Sequence, residues 1–169
     1  MKKFTLDNID IFYSDEMERE SELEEELDFR AIIDSTLDSF LKFNKKIGEL
    51  AMLYSEKQGL ERIAILSAHG DYDYEKRRWT YRDNEKDFSV QRWINKNDGK
   101  YGILILHCCN VLSKEIRSKK SAVIAYNYIY SGFRQANYEG QTEIYLPKKG
   151  YIDSYVIDNE IEKLKKEKK

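Results

Sequence analysis

Three short runs constrain this chain more than any other feature: "RIAILSA" from Arg62, "YGILILHC" from Tyr101 and "SAVIAYNYIY" from Ser121. A strand with one face in water alternates apolar and polar side chains, whereas a strand covered on both faces reads as a near-continuous apolar run. These three are of the second kind, and helical patterns lie between and around them. Helices alternating with doubly buried strands predict an α/β domain with a mainly parallel central sheet, in which strands at 62–68, 102–108 and 121–129 are parallel neighbours. A chain of 169 residues is most simply one such domain, covering 1–169.

The remaining segments fill in around these strands. "KKFTLDNIDIFYS" alternates loosely, as a short strand or an ordered arm would. Ser21 and Glu24 have the spacing of a capping box, and apolar residues from Leu27 to Tyr54 then recur at three- and four-residue steps. This predicts helix over 27–58, with Gly48 its softest interior point and Gly59 the left-handed residue that ends it. Residues 71–87 are polar, with Tyr72, Tyr74, Trp79 and Tyr81 spaced for a surface hairpin or loop. "FSVQRWINK" reads as a short helix capped by "NDG", and "LSKEIRSK" as a short helix or turn. "QTEIYLPKKGYIDSYVI" suits a hairpin turning at "PKKG". "DNEIEKLKKEKK" opens with a capping aspartate and closes with lysines, the charge order that a terminal helix favours.

A net charge of −2 speaks against a general nucleic-acid binder, which carries a basic excess. The charge is uneven: an acidic N-terminal arm is expected over 1–26 and a basic C-terminal helix over 159–169. Both are solvated faces on the simplest reading, and a cleft cover or docking segment on the sharper one. No apolar run approaches the roughly 18–20 residues that span a bilayer, so no membrane partner is expected. Two adjacent cysteines build no disulfide framework, and the N-terminus lacks the apolar core of a secretory signal. A reduced, cytoplasmic setting is the expectation.

The chain has two histidines and two cysteines, and all four fall in or at the end of two of the apolar runs. His69 follows the first run, and His107, Cys108 and Cys109 close the second. Ligands of open α/β sheets bind beyond the carboxyl ends of the strands, so parallel strands would deliver His69 and Cys109 to one rim. A thiol becomes a strong nucleophile when an imidazole takes its proton. The N–H groups of Gly70 and Cys109 would serve as oxyanion donors. Strand alternation puts Ser67 on the face of His69 and His107 on that of Cys109. Ser67, Asp71 and His107 are thus candidates for a substrate pocket, and Asp73 is a second loop carboxylate near His69. Cys108 reads as a small buried filler. Zinc held by His69, His107, Cys108 and Cys109 is the weaker reading, because adjacent cysteines rarely reach one ion, so neither metal nor cofactor is expected.

"AILSAHGD" and "ILILHCCN" together resemble the His and Cys blocks of the caspase-like cysteine peptidases. The second block is closest to the CHAT form, which ends in a small residue, Cys and Asn. The resemblance covers roughly residues 60–130, with "SKKSAVIAYNYIY" similar to the next sheet strand. It implies a three-layer, flavodoxin-like sandwich with helices on both faces, and a His69–Cys109 dyad that cleaves a protein or peptide substrate. Relatives that require a basic P1 side chain carry an acid two positions before the nucleophile, where this chain has His107. Asn110 stands where caspases have Arg or Gly, so neither P1 preference is implied. A catalytically silent module of the same fold, binding a protein partner, is the alternative.

Overall fold

The computed structural model describes residues 1–23, 45–108, 116–126 and 142–167. The chain opens with a hairpin, β1 (Lys2–Leu6) and β2 (Ile9–Tyr13), which turns at Asp7 and Asn8. Asp7 takes φ 53°, a left-handed conformation that aspartate tolerates better than most side chains. The residues read as an acidic arm over 1–26 therefore carry two paired strands, followed by helix α1 (Asp15–Leu23). The cap of that helix lies seven residues before the expected Ser21. It is Ser14, whose Oγ accepts the Met17 N–H at 3.2 Å.

Helix α2 (Lys45–Gln58) ends as expected, with Gly59 at φ 69° and the Leu60 N–H bonded to Ser55 O. The part of the expected helix at 27–44 lies outside the described residues. Strand β3 (Ile63–Asp73) runs past its apolar stretch into a ribbon with β4 (Arg78–Asp83) and β5 (Lys86–Ser89). The segment 71–87 is thus a hairpin. Helix α3 (Val90–Asn97) follows, with Ser89 Oγ accepting the Arg92 N–H. Strands β6 (Ile103–Cys108) and β7 (Ala122–Tyr126) come next. Strand β8 (Thr142–Leu146) turns at 147–149 into β9 (Gly150–Tyr151). After one 3₁₀ turn the chain ends in α4 (Ile157–Lys166). Asp158 sits in the first turn of that helix and does not cap it, since Val156 holds the cap position.

The sheet order is β1-β2-β3-β6-β7-β8-β9. The central strands β2, β3, β6 and β7 are all parallel, and β1, β8 and β9 add antiparallel pairs at the edges. The three doubly apolar runs are thus parallel neighbours over their described lengths. Alternation splits their side chains between two cores. Ile11, Ile65, Ile105 and Ile124 pack with Leu50 and Ala51 of α2 and Ile161 of α4. Leu66, Leu104, Leu106 and Val123 pack on the other face with Val90, Trp93 and Ile94 of α3. Helices therefore cover both faces of the sheet. No helix among the described residues is long and apolar enough to cross a membrane.

Side chains close the amino-terminal edge of the sheet. The buried Asp10 carboxylate accepts hydrogen bonds from Thr5 Oγ1 (2.6 Å), Tyr101 Oη (2.6 Å) and Arg62 Nη2 (2.7 Å). Burial by itself would raise its pKa, but these three donors outweigh it and hold the group down at about 2. Asp98 accepts the backbone N–H groups of Lys119, Lys120 and Ser121 at 2.6–2.9 Å, which fixes the entry to β7. Gly102 lets two backbones approach. A Cβ there would stand 2.2 Å from Leu60 O and 2.5 Å from Ser55 Cβ.

Candidate functional site

At the carboxyl-terminal edge the described register of β3 and β6 runs to the pairs Ser67–His107 and Ala68–Cys108. His69 and Cys109 each follow by one residue in the chain. Cys109 lies outside the described residues. On the α2 side of the sheet, the isoleucine layers give way to polar groups at this end. Tyr13 of β2 pairs with Ser67 of β3, and Ser67 pairs with His107 of β6. All three are buried, and Ser67 Oγ has no hydrogen-bond partner among the described residues. Tyr13 belongs to this layer although its sequence context gave no sign of it. Burial drives the His107 imidazole down to about 4, so it is neutral at pH 7. Ser67 and His107 therefore lie beneath the rim.

Cys108 points the opposite way. It is fully buried in the α3-side core, and its thiol donates to Leu66 O at 3.8 Å. His107 and Cys108 are thus on opposite faces of β6. Cys108 fills space, as its residue type suggests.

His69 sits where β3 exchanges neighbours. Through Ser67 the strand pairs with β2, and from His69 onward it pairs antiparallel with β4, His69 opposite Arg82 and Gly70 opposite Tyr81, while its described pairing with β6 runs through Ala68. The direction of the Gly70 N–H follows from the backbone. Successive strand residues point their N–H and C=O groups to alternate edges. The Ile63 N–H donates to Asn8 O and Ser67 O accepts the Ser14 N–H, so odd positions of β3 address β2. Arg62 O accepts the Gly102 N–H, so even positions address β6. Strand β4 lies on the β2 side, where the Asp83 carboxylate accepts the Asp15 N–H at 3.0 Å and pairs with the Met1 amine at 2.7 Å. The registers hold constant offsets through Asp73, so the Gly70 N–H is directed toward the β6 side, away from β4.

The loop carboxylates are committed locally. Asp71 accepts the N–H of Tyr72 at 2.8 Å, and Asp73 accepts those of Glu75 and Lys76. Two cavities among the described residues flank the β3–β4–β5 ribbon. One is walled by Phe12, Tyr81, Phe88 and Trp93, the other by Tyr72, Trp79 and Ile116. Neither is lined by His69, Ser67, Asp71 or His107. The arginines that join Trp79 and Ile116 at the second cavity were not foreseen, although "KRRW" at 76–79 and "IRSKK" at 116–120 carried the signal.

Comparison of the chain with protein-family models, with curated proteins and with solved structures finds no match.

Proposed function

We propose that the chain is a cysteine peptidase of the caspase-like kind, nearest in motif to CHAT domains, with His69 and Cys109 as its dyad. The thiol of Cys109 loses its proton to His69, and the sulfur adds to the carbonyl carbon of a peptide bond. The oxyanion is held by the N–H groups of Gly70 and Cys109. His69 then returns the proton to the leaving amine as the C–N bond breaks, and water hydrolyses the thioester. One observation carries this reading. The described parallel register of β3 and β6 runs to the residue before each proposed catalytic side chain, and the Gly70 N–H is directed to the β6 side.

A panel of peptide acyloxymethyl ketones tests the reading. The wild type is expected to form a thioether adduct at Cys109, with loss of the carboxylate leaving group. Cys109→Ala should abolish the adduct and His69→Ala should suppress it. Gly70→Val should cut peptide turnover on the order of 100–1000-fold, as loss of an oxyanion donor does, while iodoacetamide still alkylates Cys109. No adduct in the wild type, or labelling equal to that of His69→Ala, ends the proposal. The second reading, a catalytically silent module of the same fold that binds a protein, then takes its place. The observation in its favour is that His69 lines neither of the two cavities described above.

A further inference from the structure

A cavity of about 560 Å³ opens between the tip of the β3–β4 ribbon and the segment entering β7. Three arginines line it, Arg77, Arg78 and Arg117, and no aspartate or glutamate among the described residues does; Arg78 also lines the first cavity, which Asp83 and Asp87 join. None of the three is ion-paired among the described residues. The Nε of Arg78 and the Nε1 of Trp79, a second lining residue, are both buried and have no acceptor. Buried donors without acceptors are costly, the more so on a charged group, and a guanidinium fork matches a carboxylate or phosphate with two parallel bonds. The cationic side chains of this lining therefore have no anionic partner among the described residues.

The site is held in shape from behind. Gln91 of α3 clamps Arg117 through both backbone groups, donating to its O at 2.7 Å and accepting its N–H at 2.9 Å. Tyr151 Oη does the same for the preceding residue, donating to Ile116 O and accepting the Ile116 N–H at 3.0 Å. Four hydrogen bonds thus fix two residues of irregular backbone and set where the Arg117 side chain starts. On the opposite wall Tyr72 packs against Trp79 with ring centroids 4.7 Å apart. Arg77 stands at the exposed turn with φ 51°, a costly conformation for a long side chain. Asp71 and Asp73 accept N–H groups of their own loop and form no ion pair with the three arginines.

We infer that this cavity is a docking site for a peptide bearing an oxyanion group, carboxylate or phosphate, received by Arg77, Arg78 and Arg117 beside the Tyr72–Trp79 wall. It borders the α3-side core, where Trp79 and Ile116 pack, whereas His69 continues the alternation of the other face. The site is therefore separate from the proposed dyad and does not rest on it.

Calorimetric titration of the full chain tests this with four probes: a peptide of consecutive glutamates, its glutamine counterpart, the same backbone carrying phosphoserine, and inorganic phosphate. Saturable binding of the glutamate peptide identifies carboxylate as the ligand, and binding of the phosphoserine peptide alone identifies phosphate. Arg117→Gln and Arg78→Gln should each weaken the binding roughly tenfold or more, and Arg78→Lys should also weaken it, since an ammonium lacks the fork. Arg77→Gln, at an exposed turn, gives a variant whose loss of affinity cannot come from misfolding. Binding should also change the emission of Trp79 in a Trp93→Phe background, where it is the sole tryptophan. Equal binding of the glutamine peptide, inorganic phosphate binding as tightly as either charged peptide, or unchanged affinity in the arginine variants would overturn the inference. None of these readouts requires turnover.

Discussion

At the amino-terminal edge of the sheet, the Asp10 carboxylate is buried and receives three donors. At the carboxyl-terminal edge, Ser67 is fully buried and its hydroxyl receives none. The two sites are separated by one strand length, and the chain handles burial of polar groups in opposite ways. Near the strand starts, Asp10 and Asp98 each accept three hydrogen bonds, and Gly102 permits a close approach of two backbones. Near the strand ends, the imidazole of His107 is kept neutral by burial, and the donors of Arg78 and Trp79 lack acceptors. A fold that brings three donors to Asp10 and leaves Ser67 Oγ, Arg78 Nε and Trp79 Nε1 without a hydrogen-bond partner among the described residues separates what holds it together from what is available for chemistry. This matches the general placement of ligands beyond the carboxyl ends of parallel strands.

The contrast can be broken most severely at Gly102. Gly102→Val would drive a side chain into Leu60 O, which is backbone and cannot swing aside. A loss of about 3 kcal/mol or more in urea-unfolding free energy is expected, and a loss below about 1 kcal/mol would show that the close approach is slack.

Acid should dismantle the two rims in sequence. The His107 imidazole titrates near 4 in the fold and near 6.5 in an unfolded chain, so the unfolded state binds the proton first. Its contribution is whole above pH 6.5 and drains away as the pH falls to 4, a total of about 3 kcal/mol. Asp10 follows at lower pH. Its contribution, about 2 kcal/mol, is whole above 3.8 and is lost as the pH approaches 2. The urea midpoint of His107→Gln should therefore fall less between pH 6.5 and 4 than that of the wild type. Parallel curves would mean that the imidazole is not held neutral.

The smallest effect is expected at Ser67. Ser67→Ala removes a hydroxyl that has no partner to lose, so stability should stay within about 0.5 kcal/mol or rise. A loss above about 1 kcal/mol would place an unseen acceptor in that layer and erase the contrast with Asp10.

What could be read in advance divides along similar lines. The doubly apolar runs announced parallel strands because burial on both faces leaves no room for polar alternation. Gly59 announced a helix end because few other residues adopt its backbone angles cheaply. The β1–β2 hairpin was less legible, since Asp10 interrupts its apolar pattern, and that residue makes sense only once Arg62 and Tyr101 stand beside it. Ser14 was overlooked as a cap in favour of Ser21, because the capping-box spacing is local and the actual boundary is fixed by β2 ending on β3. His69 was expected just past the end of a strand at 62–68, but β3 runs on to Asp73 because the ribbon strand β4 takes over its pairing from His69. The burial of Ser67 and His107 was not legible, because alternation tells which face a side chain takes and not how deep that face is covered. Cys109 itself lies outside the described residues.

One strand, β3, belongs to two layers at once: its first half is a central member of the sheet and its second half one rail of the ribbon. His69 is the joint between them. Five residues separate it from Tyr74, roughly 17 Å of extended backbone, and through Asp73 each position is paired to β4. A ribbon of this kind behaves as a stiff lever with its fulcrum at the rim.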